Sequence, residues 1–349
     1  MHISELDTPV MVVDLDVVED NIRRLQSALD ADGVGCRPHI KTHKIPAIGR
    51  KQIAAGAIGI CCQKVGEAEV FAAAGFTDIL IAYNIVGRPK TERLARLQRQ
   101  GRAIAALDSR ETAQGIADAA RDEGVTVPVV IEVDSGGHRA GVQTAEQARS
   151  LARIVGDLPT LRLEGIMCYP TTKHVIPILQ ETRAALEGDG AHCAIVSGGG
   201  TGLHTIAREA GLTEHRSGTY LYNDMSCVRA GKATVEQCAM QVLVTVVSTA
   251  SPGFATVDGG SKTFTNDALQ SNGRNGLVLE YPDCYLERMN EEHGILNTSQ
   301  AERGPRVGEK VRVIPNHACG TTNLHDYVAA HRGGRVEAIW PVAARGTIR

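Results

Sequence analysis

From residue 15 to about 235, short apolar runs alternate with longer stretches whose apolar positions recur at helical spacing. The short runs predict strands over 34–37, 57–62, 78–83, 103–107, 128–133, 162–168, 193–196 and 213–216. The stretches between them are rich in Ala, Glu, Arg and Gln. They predict helices over 15–29, 64–74, 91–100, 109–123, 144–156 and 177–186. Eight strand–helix units in succession predict an α/β fold of the (β/α)8 TIM barrel type. A doubly wound open sheet is the alternative. The unit count and the absence of a GxGxxG after the first strand favour the barrel.

After about residue 236 the pattern changes. Strands are predicted over 241–247, 254–258, 276–279, 310–314 and 335–341, joined by Gly- and Pro-bearing turns with little helical signal. Residues 9–14 also read as a strand that can pair with these. The predicted division is therefore a barrel over 15–235 and a mainly β domain made of 1–14 plus 236–349.

Composition agrees with two domains. The chain has 349 residues, 43% of them apolar and only 3% aromatic, so the core must be built from Val, Ile, Leu and Ala. Buried parallel strands have that composition. A net charge of -3 gives no reason to expect nucleic acid or an anionic membrane as partner. The nine cysteines are odd in number and lack framework spacing, which predicts reduced thiols, with Cys61 and Cys62 buried in a strand. No signal-like amino terminus and no membrane-length apolar run are visible, so a soluble cytoplasmic protein is expected.

In a (β/α)8 barrel, functional groups gather where strands end. Here those positions are His39, Lys41 and His43, then Gln63, Tyr83 and Asn84, Asp108, the run Asp134 to Arg139, Tyr169, Ser197 to Gly202, and Arg216 to Tyr220. Nearly all are polar, which a purely structural rim does not require. Lys41 lies in Arg37-Pro38-His39-Ile40-Lys41-Thr42-His43-Lys44, and an amine crowded by cations loses its proton more readily and can condense with an aldehyde cofactor. A solvated lysine in a basic loop is the plain alternative, with Arg37 and His39 as salt-bridge formers and His43 as a capping residue. The run Ser197-Gly198-Gly199-Gly200-Thr201-Gly202 suits a phosphate, because glycines let amides approach an anion, and barrel phosphate sites commonly follow strands seven and eight. A flexible turn is the alternative there. In the β domain, His317 and Cys319 stand two apart, which in extended backbone turns both side chains to one side. Imidazole with thiolate is a zinc-like donor pair, although a lone His-x-Cys without context reads first as a core cysteine beside an exposed histidine.

Six segments together carry a resemblance: RPHIKTHK (37–44), QKVGEAE (63–69), VDSGGHRAGV (133–142), SGGGTG (197–202), HRSGTYLYND (215–224) and PNHACGTTNLHD (315–326). The chain resembles the D-threonine aldolase and D-serine dehydratase family, fold type III pyridoxal phosphate enzymes related to alanine racemase. The resemblance runs from Thr8-Pro9 to the closing WPVAARG (340–346). It implies an alanine-racemase-like barrel with a β domain, working as a homodimer. It further implies that Lys41 carries the cofactor as a Schiff base. Ser197, Gly198, Gly199, Gly200, Thr201, Ser217, Gly218, Thr219 and Tyr220 would hold the phosphate. Tyr169, Arg139, His39 and Gln63 would surround the ring. His317 and Cys319 would bind a divalent metal, zinc or manganese, near the substrate β-hydroxyl.

Two reactions follow from the resemblance. Removing the hydroxyl proton gives retro-aldol cleavage to glycine and an aldehyde. Removing the α-proton, with Lys41 as base, gives β-elimination to a 2-oxo acid and ammonia. The His-x-Cys pair is similar to the dehydratases, whereas the following Thr-Asn-Leu-His-Asp run is similar to the aldolases. CYPTTKH (168–174) departs from both, leaving His174 as the available hydroxyl base. The aldolase is the preferred reading. A non-catalytic cofactor carrier lacks a reason for the β domain, and a racemase lacks a reason for a metal. A barrel metallohydrolase would need a His-x-His pair after the first strand.

Overall fold

Lys41 sits one residue before a break between two compact units in a computed structural model that describes residues 1–267 and 273–349. One unit comprises Arg24–Lys41, Ile48–Gly218 and Thr347–Arg349. The other comprises Met1–Arg23, Thr42–Ala47 and Thr219–Gly346. No helix among the described residues is long and apolar enough to cross a membrane.

Strand β1 (Val10–Asp14) belongs to the second unit. The first unit is built on eight parallel strands: β2 (Gly35–Cys36), β3 (Ile60–Cys62), β4 (Asp78–Asn84), β5 (Arg102–Leu107), β6 (Val127–Val133), β7 (Leu161–Cys168), β8 (Ile195–Gly199) and β9 (Glu214–Arg216). Neighbours from β3 to β9 pair in sequence order, and β9 pairs with β2. The ring closes between β2 and β3, where Ile58 N donates to Cys36 O, Cys61 N donates to Pro38 O, and His39 bridges Cys61. The expected TIM barrel is thus present. Its interior holds Cys61, Leu80, Ile104, Ala106, Val130, Met167 and Ile195, aliphatic and sulfur side chains in place of the scarce aromatics.

The predicted helices form with local signals at their ends. The helix Arg110–Glu123 starts where Ser109 Oγ accepts the Thr112 amide, and it stops at Gly124 (φ 65°), a left-handed cap that glycine adopts without strain. Its buried side is Ile116 with five Ala and Thr side chains. The helix Ala145–Gly156 starts in the same way at Thr144. A helix over Pro46–Ala54 was not expected, because Pro46 and Gly49 mask a weak apolar rhythm. No α-helix separates β8 from β9, only a 3-10 turn at His204–Ile206.

The second unit carries β1 together with β10 (Met240–Ser248), β11 (Phe254–Val257), β12 (Gly276–Val278), β13 (Tyr285–Met289), β14 (Gly294–Asn297), β15 (Lys310–Pro315), β16 (Tyr327–Arg332) and β17 (Arg335–Pro341). Their order is β11-β14-β13-β12-β15-β10-β1-β16-β17, with β10 also pairing β11. The amino-terminal strand pairs antiparallel with β10 and parallel with β16, so the pairing with the β domain that its sequence allowed is present. Val242, Val244, Val246, Val257, Phe264, Leu286, Leu296 and Val313 form the core of this sheet. Strands β13, β14 and β16 escaped prediction, since Tyr285–Met289 reads as charged and Tyr327–Arg332 as Ala-rich. All nine cysteines are unbridged, and Cys61 and Cys62 are buried, as expected.

Candidate active-site groups

In the barrel unit, Lys41 is half-buried, and its Nζ stands 5.6 Å from the centre of the Tyr169 ring. The Arg139 guanidinium faces the same ring at 5.3 Å and approaches Glu132 at 3.7 Å. Burial raises the Glu132 carboxyl above its ordinary range, and the charges of Arg139 and Arg216 oppose that rise. Behind Lys41 the contacts fix a tautomer. Gln63 Nε2 donates to Ala82 O (3.0 Å), so Gln63 Oε1 accepts from His39 Nε2–H (3.0 Å), and His39 Nδ1 accepts the Lys41 amide (3.3 Å). Three predicted residues, Lys41, His39 and Gln63, are thereby positioned by one another. Beside them a cavity of about 570 Å³ opens at the carboxyl ends of β3 to β6, lined by Gln63, Asn84, Asp108, Glu132 and Arg139 among others.

The predicted phosphate run is divided by the fold. Ser197, Gly198 and Gly199 belong to β8 and are buried. Ser197 Oγ is already engaged, donating to Glu214 Oε1 (2.7 Å) and accepting from Arg216 Nε (2.7 Å). Gly199 (φ 130°) runs so close to β9 that a Cβ would meet Arg216 O at 2.3 Å. The turn that follows is open to an anion. Among the described residues, the amides of Thr201, Gly202 and Gly218 donate to no protein acceptor, and Thr201 Oγ1 and Ser217 Oγ lie 3.1 Å apart. Such a cradle of unspent donors fits a phosphate group.

Sequence reasoning missed the support under this cradle. Glu214 accepts both from Ser197 and from Arg37 Nε (2.7 Å), and Arg37 Nη1 reaches Asp78 Oδ1 (2.5 Å). Arg216 Nη2 donates to Cys168 O (2.9 Å). Arg37 is 2% exposed, so it forms the salt bridges allowed for it from sequence, but as an interior link and not at the rim. His174 is exposed, with Nε2 3.2 Å from Ser135 O and its ring on the Thr172 hydroxyl.

In the β unit, the extended geometry expected for His317-Ala318-Cys319 is corrected. His317 is the extended cap (φ -136°, ψ 110°) of a short helix, Ala318–Thr322, and Cys319 is its second residue. The side chains still meet, through a hydrogen bond between the His317 ring and Cys319. Asp267 Oδ2 holds His317 Nδ1 at 2.7 Å. Burial alone would lower the imidazole pKa. The Cys319 and Asp267 hydrogen bonds and the Asp224 charge outweigh it and raise the value to about 9. Asp224 also ties the elements together, capping Met225–Arg229 through the Cys227 amide and accepting the Ala318 amide at 2.9 Å. His43, in this unit, accepts the Ile45 amide on Nδ1, the capping role allowed for it. Tyr220 is buried, and Thr219 Oγ1 lies 3.7 Å from Cys319 Sγ. Among the described residues no three His, Cys, Asp or Glu side chains cluster around a metal position. Imidazole and sulfur, with a carboxylate orienting the imidazole, nevertheless match the donor chemistry of a zinc-like ion. Asp224 lies inside a motif noted above, whereas nothing marks Asp267, fifty residues from His317.

Comparison with known proteins bears on both groups. Residues 13–226 match the family model of the alanine racemase N-terminal domain, and residues 239–330 match a putative serine dehydratase domain. The chain is 32% identical to 3-hydroxy-D-aspartate aldolase of Paracoccus denitrificans, over 99% of this chain and 94% of that one. It is 33% identical to D-threo-3-hydroxyaspartate dehydratase of a Delftia species, over 99% and 96%. The crystal structure of D-threonine aldolase from Filomicrobium marinum superposes with a TM-score of 0.92 at 34% identity, covering 99% of this chain and 98% of that one.

Proposed function

Since the chain belongs to the family of D-threonine aldolases and D-serine dehydratases, pyridoxal phosphate lyases on the alanine racemase fold, we propose that it cleaves D-3-hydroxy amino acids to glycine and an aldehyde. The observation that carries this reading is the approach of Lys41 and Arg139 to one ring, that of Tyr169, which lies beside Gly200 in the donor-rich turn. Residues 15–235 form the cofactor-binding domain, and 1–14 with 236–349 form the metal-bearing domain. The working protein is a cytoplasmic homodimer.

Pyridoxal phosphate, when bound, supplies an electron sink for charge developing at the substrate Cα. Lys41 Nζ is its covalent anchor. The amides of Thr201, Gly202 and Gly218 and the Ser217 hydroxyl hold its phosphate, while Tyr169 and Arg139 orient its ring. Ser197, Gly198 and Gly199 shape the floor of that site. A divalent metal, when bound by His317 and Cys319, supplies Lewis acidity to the β-hydroxyl. Sulfur ligation favours zinc over manganese. His174 Nε2 takes the hydroxyl proton, which releases the electron pair that breaks Cα–Cβ.

The second reading is β-elimination to a 2-oxo acid and ammonia, with Lys41 Nζ removing the α-proton. Cys319 favours it, since a His-x-Cys pair is similar to the dehydratases. Product analysis decides between the two. Glycine and acetaldehyde from D-threonine support the aldolase, and pyruvate and ammonia from D-serine or oxaloacetate from D-3-hydroxyaspartate support the dehydratase. Neither product set from any of these substrates would end both readings. Activity untouched by a chelator would remove His317 and Cys319 from the reaction.

A further inference from the structure

Thr42 is fully buried, and its hydroxyl has a single partner among the described residues, the sulfur of Cys319 at 3.2 Å. The Thr219 hydroxyl approaches the same sulfur at 3.7 Å, and the His317 ring bonds to it as well. Three polar groups thus converge on one atom, each able to donate to it. A thiol carries one proton and could satisfy only one of these groups as donor, and a neutral sulfur accepts weakly. A sulfur that accepts from all of them satisfies every group at once.

We propose that Thr42 is a positioning residue for the metal ligand Cys319, its hydroxyl holding the sulfur in orientation as an acceptor, with Thr219 as the second support. The inference rests on the metal role given to His317 and Cys319 above. It adds a covalent relation that neither group has alone. The residue after the cofactor lysine carries the hydroxyl that orients the metal's sulfur. Groups that orient metal ligands typically change metal affinity 10- to 100-fold when removed.

The test is a cobalt titration of chelator-stripped protein with the cofactor retained, read by the visible d–d bands of bound Co²⁺. Thr42→Val, an isosteric loss of the hydroxyl, should raise the Co²⁺ Kd by about tenfold or more and shift the bands. Thr42→Ser should restore both. Thr219→Val should raise the Kd by a smaller factor, and it carries the test if T42V does not fold. An unchanged Kd and spectrum in the folded variants overturns the proposal, as does a T42S protein that binds as weakly as T42V. If Cys319→Ala binds Co²⁺ as tightly as the wild-type protein, the metal reading itself fails. That failure is distinct, because the wild-type spectrum would then lack any contribution from sulfur.

Discussion

Lys41 Nζ and the Tyr169 ring stand 5.6 Å apart, with Arg139 facing the same ring at 5.3 Å. Each cation gains from the ring only modestly, about 0.5–1 kcal/mol at exposed sites. An anionic, planar cofactor would give both a stronger partner. Borohydride reduction of cofactor-loaded protein should therefore fix the label on Lys41, and peptide mapping should find it there. Lys41→Ala should lose both label and turnover. A label on another lysine sinks the assignment. Tyr169→Ala should weaken cofactor binding by about tenfold, equivalent to about 1.4 kcal/mol, read by equilibrium dialysis.

Ser197 offers a contrast. Its hydroxyl joins Glu214 to Arg216, and Glu214 is held in turn by Arg37. Ser197→Ala should cost about 1–3 kcal/mol of stability in urea unfolding, because it leaves buried charged partners short of a bond. Its cofactor affinity should change much less than that of Tyr169→Ala. The opposite ranking would return Ser197 to the phosphate shell. Arg37→Met, which strands Glu214 as an uncompensated buried charge, should cost more, about 3–5 kcal/mol.

His174 separates the two chemistries. If its Nε2 takes the hydroxyl proton, His174→Ala should lower glycine formation from D-threonine by about 10²- to 10⁴-fold. Elimination from D-serine, which needs Lys41 as base, should fall far less. Equal losses in both reactions would remove His174 from the role. Its exposure makes a folding defect a weak explanation for any loss.

His215 sets an acid limit on stability. Burial, reinforced by the charges of His204 and Arg216, lowers its pKa to about 3, against the backbone of Gly200, which favours the charged form. In the unfolded chain the ring takes a proton near about 6.5. The unfolded state thus binds more protons throughout that window. Stability is complete above about pH 6.5 and falls by about 1.4 kcal/mol per pH unit from this group as pH drops toward 3. Between pH 7 and pH 5, wild-type protein stripped of cofactor should lose about 2 kcal/mol more than His215→Asn, measured by urea unfolding. Parallel losses would show that the ring is not the cause.

The sequence by itself determined the architecture, because barrel and sheet elements are specified by local periodicity and short caps. The eight barrel strands, helices such as Arg110–Glu123 with Ser109 before it and Gly124 after it, and the return of Val10–Asp14 to the carboxyl-terminal sheet were all legible. Lys41, the glycine run and the His317–Cys319 pair were legible as residue types in a pattern. Tertiary structure decided how each is used. Ser197 could not be assigned from its motif, because what engages its hydroxyl is Glu214 on the adjacent strand and Arg216 two residues later. Asp267 carries no local mark, and Thr42, although inside the 37–44 run, carries none of its role, since their partners His317 and Cys319 lie 50 and 277 residues away along the chain. Local sequence fixes backbone shape within a turn or a strand. Which polar atoms satisfy one another in the interior depends on long-range packing, and that decides which hydroxyl supports the fold and which remains for chemistry.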